Sequence, residues 1–218
     1  YELPIIQKDI IKRVREREKI CVVASEMLES MKKNARPTRA EVSDVANAVL
    51  EGTDAVMLSG ETTTGKFPIE TVQYMASICE YAERNYDYSR KFADLRHENI
   101  TSTIAHAVVE AAHVLDIKAI VTPTMSGYTA KRISNLRPKG IVLAGCTSEE
   151  VANKLTLNWG VYPFVIPVYD SVEDVLEKSK DAAKKMANLN PGDTIIMTGT
   201  FSNNLEAQTT NLMTVDRI

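Results

Sequence analysis

Short apolar runs of strand type alternate with amphipathic helical stretches along the chain, and this alternation constrains the fold more than any other feature. Such alternation calls for parallel strands joined by crossover helices, because each strand needs both faces covered. Near the start, Ile5, Ile6, Ile10, Ile11 and Val14 form one helical face, with Lys and Arg on the other. Cys21 to Ala24 reads as a short buried strand. Thr38 and Glu41 make a capping-box pair, and the helix they open runs through Val42, Val45, Ala46, Val49 and Leu50 until Gly52 stops it. Asp54 to Leu58 is the next strand. Pro68 suits the first turn of a helix with Ile69, Val72, Met75, Ala76 and Cys79 on its core face. A βαβα unit of this kind cannot cover its own sheet, so it expects further strands or a partner.

From Asn85 to Asn99 the period is lost, and Asn85 to Lys91 is strongly polar. This reads as a linker, dividing the chain into domains 1–88 and 89–218. Beyond it, helices are predicted at Thr101 to Leu115, Thr129 to Asn135, Ser148 to Leu157 and Val172 to Leu189. Strands are predicted at Ala119 to Thr122, Ile141 to Ala144, Phe164 to Pro167, Thr194 to Met197 and Leu212 to Val215. This pattern is that of an open, mostly parallel α/β sheet with helices on both faces. Asn158 to Pro163, with the single Trp159, reads as a packing corner between a helix and a strand.

Both strands of the first part run into hydroxyls and carboxylates. Cys21 to Ala24 is followed by Ser25 and Glu26, and Ala55 to Leu58 by Ser59, Gly60, Glu61 and Thr62. Polar groups just past the carboxyl end of a parallel strand are where α/β folds carry their chemistry. Ser25 reads either as a site hydroxyl or as a cap for the helix that follows. Ser59 and Glu61 read either as ligand contacts or as groups that organise their own turn. Arg39, in the first turn of its helix, opposes the helix dipole there, so it serves another end or is simply solvated. In the second part, Thr122-Pro123-Thr124-Met125-Ser126-Gly127-Tyr128-Thr129 joins a strand to a helix. Its hydroxyls, its glycine and a helix N-terminus suit a phosphate, although no P-loop lysine accompanies them.

A net charge of -3 with 25% charged residues argues against a nucleic-acid binder. No apolar run has the length of a membrane span. Cys21, Cys79 and Cys146 are well separated in apolar settings and read as reduced core thiols, which suit a reducing cytoplasm. His106 and His113 share a helix face without further ligands, so no metal site is expected in this chain.

The wording of several segments is more specific than their physics. Leu3 to Lys8, Met27-Leu28-Glu29-Ser30-Met31, Arg36-Pro37-Thr38-Arg39-Ala40-Glu41, Ser43 to Ala48 and Met57-Leu58-Ser59-Gly60-Glu61-Thr62 come in the order and spacing of pyruvate kinases. So do Ser126 to Ala130, Leu136 to Lys139, Asn158 to Pro163 and Thr210-Asn211-Leu212. Across essentially its whole length, the chain resembles the carboxyl-terminal part of that family.

The resemblance implies the last strands of a (β/α)₈ TIM-type barrel, then a regulatory α/β domain. It implies a cytoplasmic, glycolytic, allosteric phosphotransferase acting on phosphoenolpyruvate and ADP with Mg²⁺ and K⁺, assembled as a homo-oligomer, in most members a tetramer. The family's catalytic Lys, its metal-binding Glu and Asp and its nucleotide-phosphate residues are expected upstream of Tyr1, so this chain alone is expected to be inactive. Ser25 matches a Thr of the family's proton relay, and Glu26 stands where many members have Gln. Ser59 and Glu61 match the nucleotide half of the site, and Arg39 a subunit contact. Thr124, Ser126, Gly127, Tyr128 and Thr129 match the loop that holds an effector phosphate, from a sugar phosphate or a nucleotide. The loop from Gly199 to Gln208 would close that pocket, but it lacks Lys and Arg and carries Glu206, which favours a monophosphate or a vestigial site. The rival expectation is a non-catalytic α/β module that binds a phosphorylated metabolite or mediates assembly.

Overall fold

The computed structural model describes residues 1–88, 99–166, 172–200 and 209–218. The chain divides into two compact units, Tyr1–Asp87 and Tyr88–Ile218.

The first unit begins with helix α1 (Leu3–Glu16) and strand β1 (Val22–Val23). A 3-10 turn at Glu29–Lys32 leads into α2 (Arg39–Glu51), followed by β2 (Ala55–Val56), the single-turn α3 (Gly60–Thr63) and α4 (Pro68–Arg84). The capping box at Thr38 and Glu41 is present, and Gly52 ends α2 in the left-handed conformation at φ 89°. β1 and β2 pair in parallel, with Val22 opposite Ala55 and Val23 opposite Val56. Both strands are shorter than their apolar runs, because two strands with only each other to pair, among the described residues, sustain a short ladder. Sequence reading took Ser59 to Glu61 as a turn and missed α3. Met27, Leu28, Met31, Val45, Ala48 and Met75 form the core of this unit. Each large apolar side chain so buried contributes about 1.5–3 kcal/mol.

The second unit carries α5 (Ile100–Val114), β3 (Ala119–Thr124), α6 (Tyr128–Asn135), β4 (Ile141–Cys146) and α7 (Glu149–Leu155). Then come β5 (Val161–Val165), α8 (Val172–Met186), β6 (Thr194–Gly199) and β7 (Leu212–Arg217). Its sheet has the order β5-β4-β3-β6-β7, parallel except for the antiparallel edge strand β7. Alternate residues of β3 serve opposite faces. Ile120 packs in one core with Ala105, Ile133 and Leu155 from α5, α6 and α7. Ala119 and Val121 pack in another with Ala183 of α8. The mostly parallel sheet with helices on both faces is therefore as expected.

One strand is shifted. β5 starts at Val161, three residues before the predicted Phe164, and takes in Pro163. Proline argues against a strand in general, but β5 is an edge strand with one neighbour, where a missing N–H is tolerated. The Trp159 corner precedes it: Trp159 is buried, its carbonyl accepts from Ser134 Oγ at 2.7 Å, and the Arg137 guanidinium lies 5.1 Å from its ring centre.

Candidate functional site

The parallel pairing of β1 and β2 brings their carboxyl ends to the same side, so Ser25 and Glu26 emerge beside Ser59 and Glu61. Ser25 and Glu26 are both exposed and both in the left-handed region, at φ 77° and 55°. Two successive non-glycine residues in that region cost roughly 1–2 kcal/mol each. Strain of this kind collects at sites where a loop must hold an unusual course. Ser25 does not cap the 3-10 turn after it, whose N-cap is Leu28 with no side-chain capping bond. The structural role that sequence allowed for Ser25 is thus absent.

Glu61 is almost fully buried, at 1% exposure. Its Oε2 accepts from the Ser59 N–H at 2.9 Å and its Oε1 from the Leu28 N–H at 3.2 Å. Burial pushes its carboxyl upward, but the Ser59, Glu61 and Leu28 amides and the Lys32 charge outweigh this and leave it below the usual carboxylate value. Between the two readings of Glu61, this geometry favours the residue that organises the turn. The Ser59 carbonyl accepts from the amides of Thr62 and Thr63 at 3.2 and 3.1 Å, and from their hydroxyls at the same distances.

Sequence reasoning missed Lys32. Its Nζ lies 2.7 Å from Glu29 Oε1, and its stem crosses Gly60, where a Cβ would come within 2.3 Å of Lys32 Cε. The hydrogen bond to Glu29 raises its pKa, with added pull from the charges of Glu29, Glu61 and Glu26. Lys32 thus brings a cation, paired with Glu29, into the loop that follows Glu26. A lysine within an irregular loop has no periodicity to mark it, so only the folded loop reveals it.

Glu41 holds the same loop from the other side. It accepts from Ser30 N and Oγ at 2.7 and 2.6 Å, and from Thr38 N and Oγ1 at 2.7 and 2.8 Å. Burial pushes its carboxyl up, and these four donors bring it below its ordinary value. Arg39, beside it, is exposed and makes no ion pair among the described residues.

In the second unit, the loop from β3 to α6 turns at Gly127, with φ 80°. Thr124 Oγ1 accepts from the Gly127 N–H at 2.9 Å. No side chain caps α6, which leaves its first-turn amides pointing outward at an end that favours anions. Ser126 is exposed there. Thr129 is buried, and its hydroxyl is bonded to that of Thr210 at 2.5 Å. Tyr128 Oη accepts from Arg132 Nε and Nη2 at 3.0 and 2.7 Å. Arg132 is thus a cation one turn into α6, legible only from its spacing of four from Tyr128. Residues 201–208, including Glu206, lie outside the described residues.

Among the described residues no group of three or more His, Cys, Asp or Glu side chains is placed to hold a metal. The cysteines are free. Burial pushes the Cys79 and Cys146 thiols up to about 11, Glu83 adding to it at Cys79, so both stay protonated at neutral pH. None of the described helices is long and apolar enough to cross a membrane.

Two family models match the chain: the pyruvate kinase barrel domain over residues 1–72 and the pyruvate kinase alpha/beta domain over residues 102–215. A pyruvate kinase of Sporosarcina psychrophila is 42% identical over 98% of this chain and 37% of its own length. One from Clostridium acetobutylicum is 39% identical over 98% of this chain and 46% of its own. The crystal structure of a pyruvate kinase from Cryptosporidium parvum superposes with a TM-score of 0.89 at 36% identity, covering 99% of this chain and 44% of that one. The chain therefore spans less than half the length of these relatives. With both domains matched in sequence order, and alignments that cover nearly the whole chain, the chain belongs to the pyruvate kinase family.

Proposed function

We propose that the chain is the part of a pyruvate kinase that contributes the last barrel strands, over residues 1–88, and the regulatory domain, over residues 89–218. The longer protein would transfer the phosphoryl group of phosphoenolpyruvate to ADP, giving ATP and pyruvate, as a step of glycolysis in the cytoplasm. The observation that carries this reading is the convergence of Ser25 and Ser59 at the carboxyl ends of two parallel strands, within a chain matched throughout by one family.

Loss of the phosphoryl group leaves an enolate, which becomes pyruvate by taking a proton at carbon. A hydroxyl within hydrogen-bond reach can deliver that proton and recover one from solvent. Ser25 suits proton delivery, being exposed, capping nothing and standing on a strained turn at the strand ends. Glu26, next to Ser25 and likewise exposed, borders the same opening. Ser59 belongs to the nucleotide side, with Glu61 behind it. Mg²⁺ and K⁺ would neutralise charge on the transferring group. Their ligands would come mostly from the rest of the longer protein. Arg39 would serve a contact between subunits of a tetramer. Thr124, Ser126, Gly127, Tyr128 and Thr129 would receive an effector phosphate, from a sugar phosphate or a nucleotide.

A coupled assay on the full-length protein tests the reading. Pyruvate should form with ADP, Mg²⁺ and K⁺, and Ser25→Ala should lower turnover by roughly 10²–10⁴-fold with little change in substrate binding. Unchanged turnover removes Ser25 from the relay. The 218-residue chain alone should form none, and turnover by it at ordinary enzyme rates would refute the division of labour. A second reading, a regulatory module that binds a phosphorylated metabolite by itself, is favoured by the uncapped start of α6 in a unit with its own core.

A further inference from the structure

Lys32 is held in place from three sides, yet the ion pair on its amine is open to solvent. The 3-10 turn Glu29–Lys32 stacks residues three apart, which sets Lys32 Nζ 2.7 Å from Glu29 Oε1. The Lys66 N–H donates to the Lys32 carbonyl at 3.0 Å and ties this turn to the segment after α3. The stem lies across Gly60, where a Cβ would come within 2.3 Å of Lys32 Cε and 2.5 Å of Nζ. Any side chain at position 60 would push the stem away. With glycine there, the charge stands against the residue that follows Ser59.

The segments after β1 and β2 carry three carboxylates, Glu26, Glu29 and Glu61, and an anionic substrate meets their repulsion unless a cation is close. Lys32, Lys33 and Lys66 could supply it. Lys33 and Lys66 are exposed and make no ion pair among the described residues, so each loses rotamer freedom when it grips a ligand. Lys32 has given up that freedom already. Its ammonium has three donors, of which Glu29 takes one. The Lys32 and Glu29 side chains are 33% and 44% exposed, and a pair so open to water exchanges a partner at little cost. The Glu29 hydrogen bond raises the Lys32 pKa, so the amine stays charged through the neutral range.

We propose that Lys32 binds a phosphate of the nucleoside diphosphate, passing its ammonium from Glu29 to a phosphate oxygen while its stem stays across Gly60. This role rests on the reading of Ser59 as the nucleotide side of a phosphotransferase site. A lysine suits phosphate rather than base or ribose, because it is a compact point charge with donors alone. It offers the same charge before and during the reaction, so it contributes to binding rather than to turnover. Glu29 is its counterweight: it orders the ammonium in the empty site and competes with the ligand for it.

The test compares wild type, Lys32→Met and Glu29→Gln in the full-length protein. Methionine keeps a stem across Gly60 and removes the charge. Lys32→Met should raise the KM for ADP about tenfold, with kcat and the KM for phosphoenolpyruvate each within about threefold. Glu29→Gln frees the ammonium and should lower the KM for ADP about two- to threefold, the opposite sign. A rise in Glu29→Gln would mean that the pair only braces its own turn, and would overturn the role. So would an unchanged KM for ADP in Lys32→Met, or a rise confined to phosphoenolpyruvate. Direct titration with ADP at increasing tetramethylammonium chloride gives a readout independent of turnover. The Kd of wild type should rise more steeply with salt than that of Lys32→Met, and parallel slopes would overturn the charge contact. A wild type that forms no pyruvate overturns the assigned reaction and this role with it, whereas an active wild type indifferent to Lys32→Met overturns the role alone.

Discussion

Thr129 and Thr210, 81 residues apart, share a hydroxyl–hydroxyl hydrogen bond of 2.5 Å in the buried interior of the second unit. The Thr210 N–H in turn donates to Thr101 Oγ1 at 3.1 Å. One threonine thus ties the start of α6 to the start of α5 just ahead of the last strand. The hydroxyl that sequence offered to a phosphate is already engaged within the protein.

Removing one partner of this pair should cost more than removing both. Thr129→Val leaves the buried Thr210 hydroxyl without its acceptor or donor, at about 1–3 kcal/mol. The Thr129→Val, Thr210→Val double variant should lose less than the sum of the two single changes. Urea unfolding of the four proteins measures the coupling. Additive losses would mean that the bond does not hold in solution.

Gly127→Ala should destabilise the second unit for two separate reasons. At φ +80° an L side chain is strained by roughly 1–2 kcal/mol. A Cβ there would also lie 2.9 Å from Leu155 Cδ2, and Leu155 is itself locked in the core. A melt of the variant checks this, and an unchanged midpoint would show that the loop turns by another route.

The first unit should weaken in acid through Glu61 and Glu41. Both carboxyls lie below their ordinary value of 4.5 in the folded chain. A lowered folded pKa contributes stability that is fully present above the unfolded value and is lost as pH falls through the folded one. The loss should therefore begin below about pH 4.5 and deepen on further acidification. Glu83 works the other way, since burial and then Glu80 raise its carboxyl, so acid relieves it. Denaturant midpoints from pH 7 to 3 should fall less steeply for Glu61→Gln than for wild type. Parallel curves would deny Glu61 its linkage.

The layout of the second unit was legible because its strands are long, apolar and separated by helices with clear starts. Ser148, for example, caps α7 as its Ser-Glu-Glu sequence indicates. What escaped reading was decided by neighbours. Pro163 reads as part of the Trp159 corner, yet it lies within β5, whose edge position removes the need for its N–H. At the candidate site the residue types were legible, but their division of labour was not. Glu61 and Ser25 look alike as polar strand-end residues. Only burial and hydrogen bonding separate a carboxylate locked onto two amides from a hydroxyl left open on a strained turn. Lys32 carried no sequence signal, because its importance comes from lying across Gly60, 28 positions later.

The start of α6 should bind a phosphate even in the isolated chain, since the second unit has its own core. Its first-turn amides and the Ser126 hydroxyl supply donors, the helix dipole favours an anion, and Arg132 adds a charge beside Tyr128. A ligand at 100 times its dissociation constant adds about 2.7 kcal/mol to the unit it occupies. A melt series with glucose 6-phosphate, ribose 5-phosphate, AMP, fructose 1,6-bisphosphate and sulfate should therefore show an upward shift for a phosphate ester. Ser126→Ala and Arg132→Gln are better probes than a change at Thr129, whose hydroxyl belongs to the internal pair. Each should reduce the shift without lowering the melt of the unliganded chain. Monophosphates should outperform the bisphosphate if the segment after Gly199 closes the pocket as the family resemblance implies, because its sequence holds Glu206 and neither Lys nor Arg. A shift indifferent to both substitutions would place the ligand elsewhere, and a bisphosphate that wins clearly would show that a cation from another part of the protein completes the pocket.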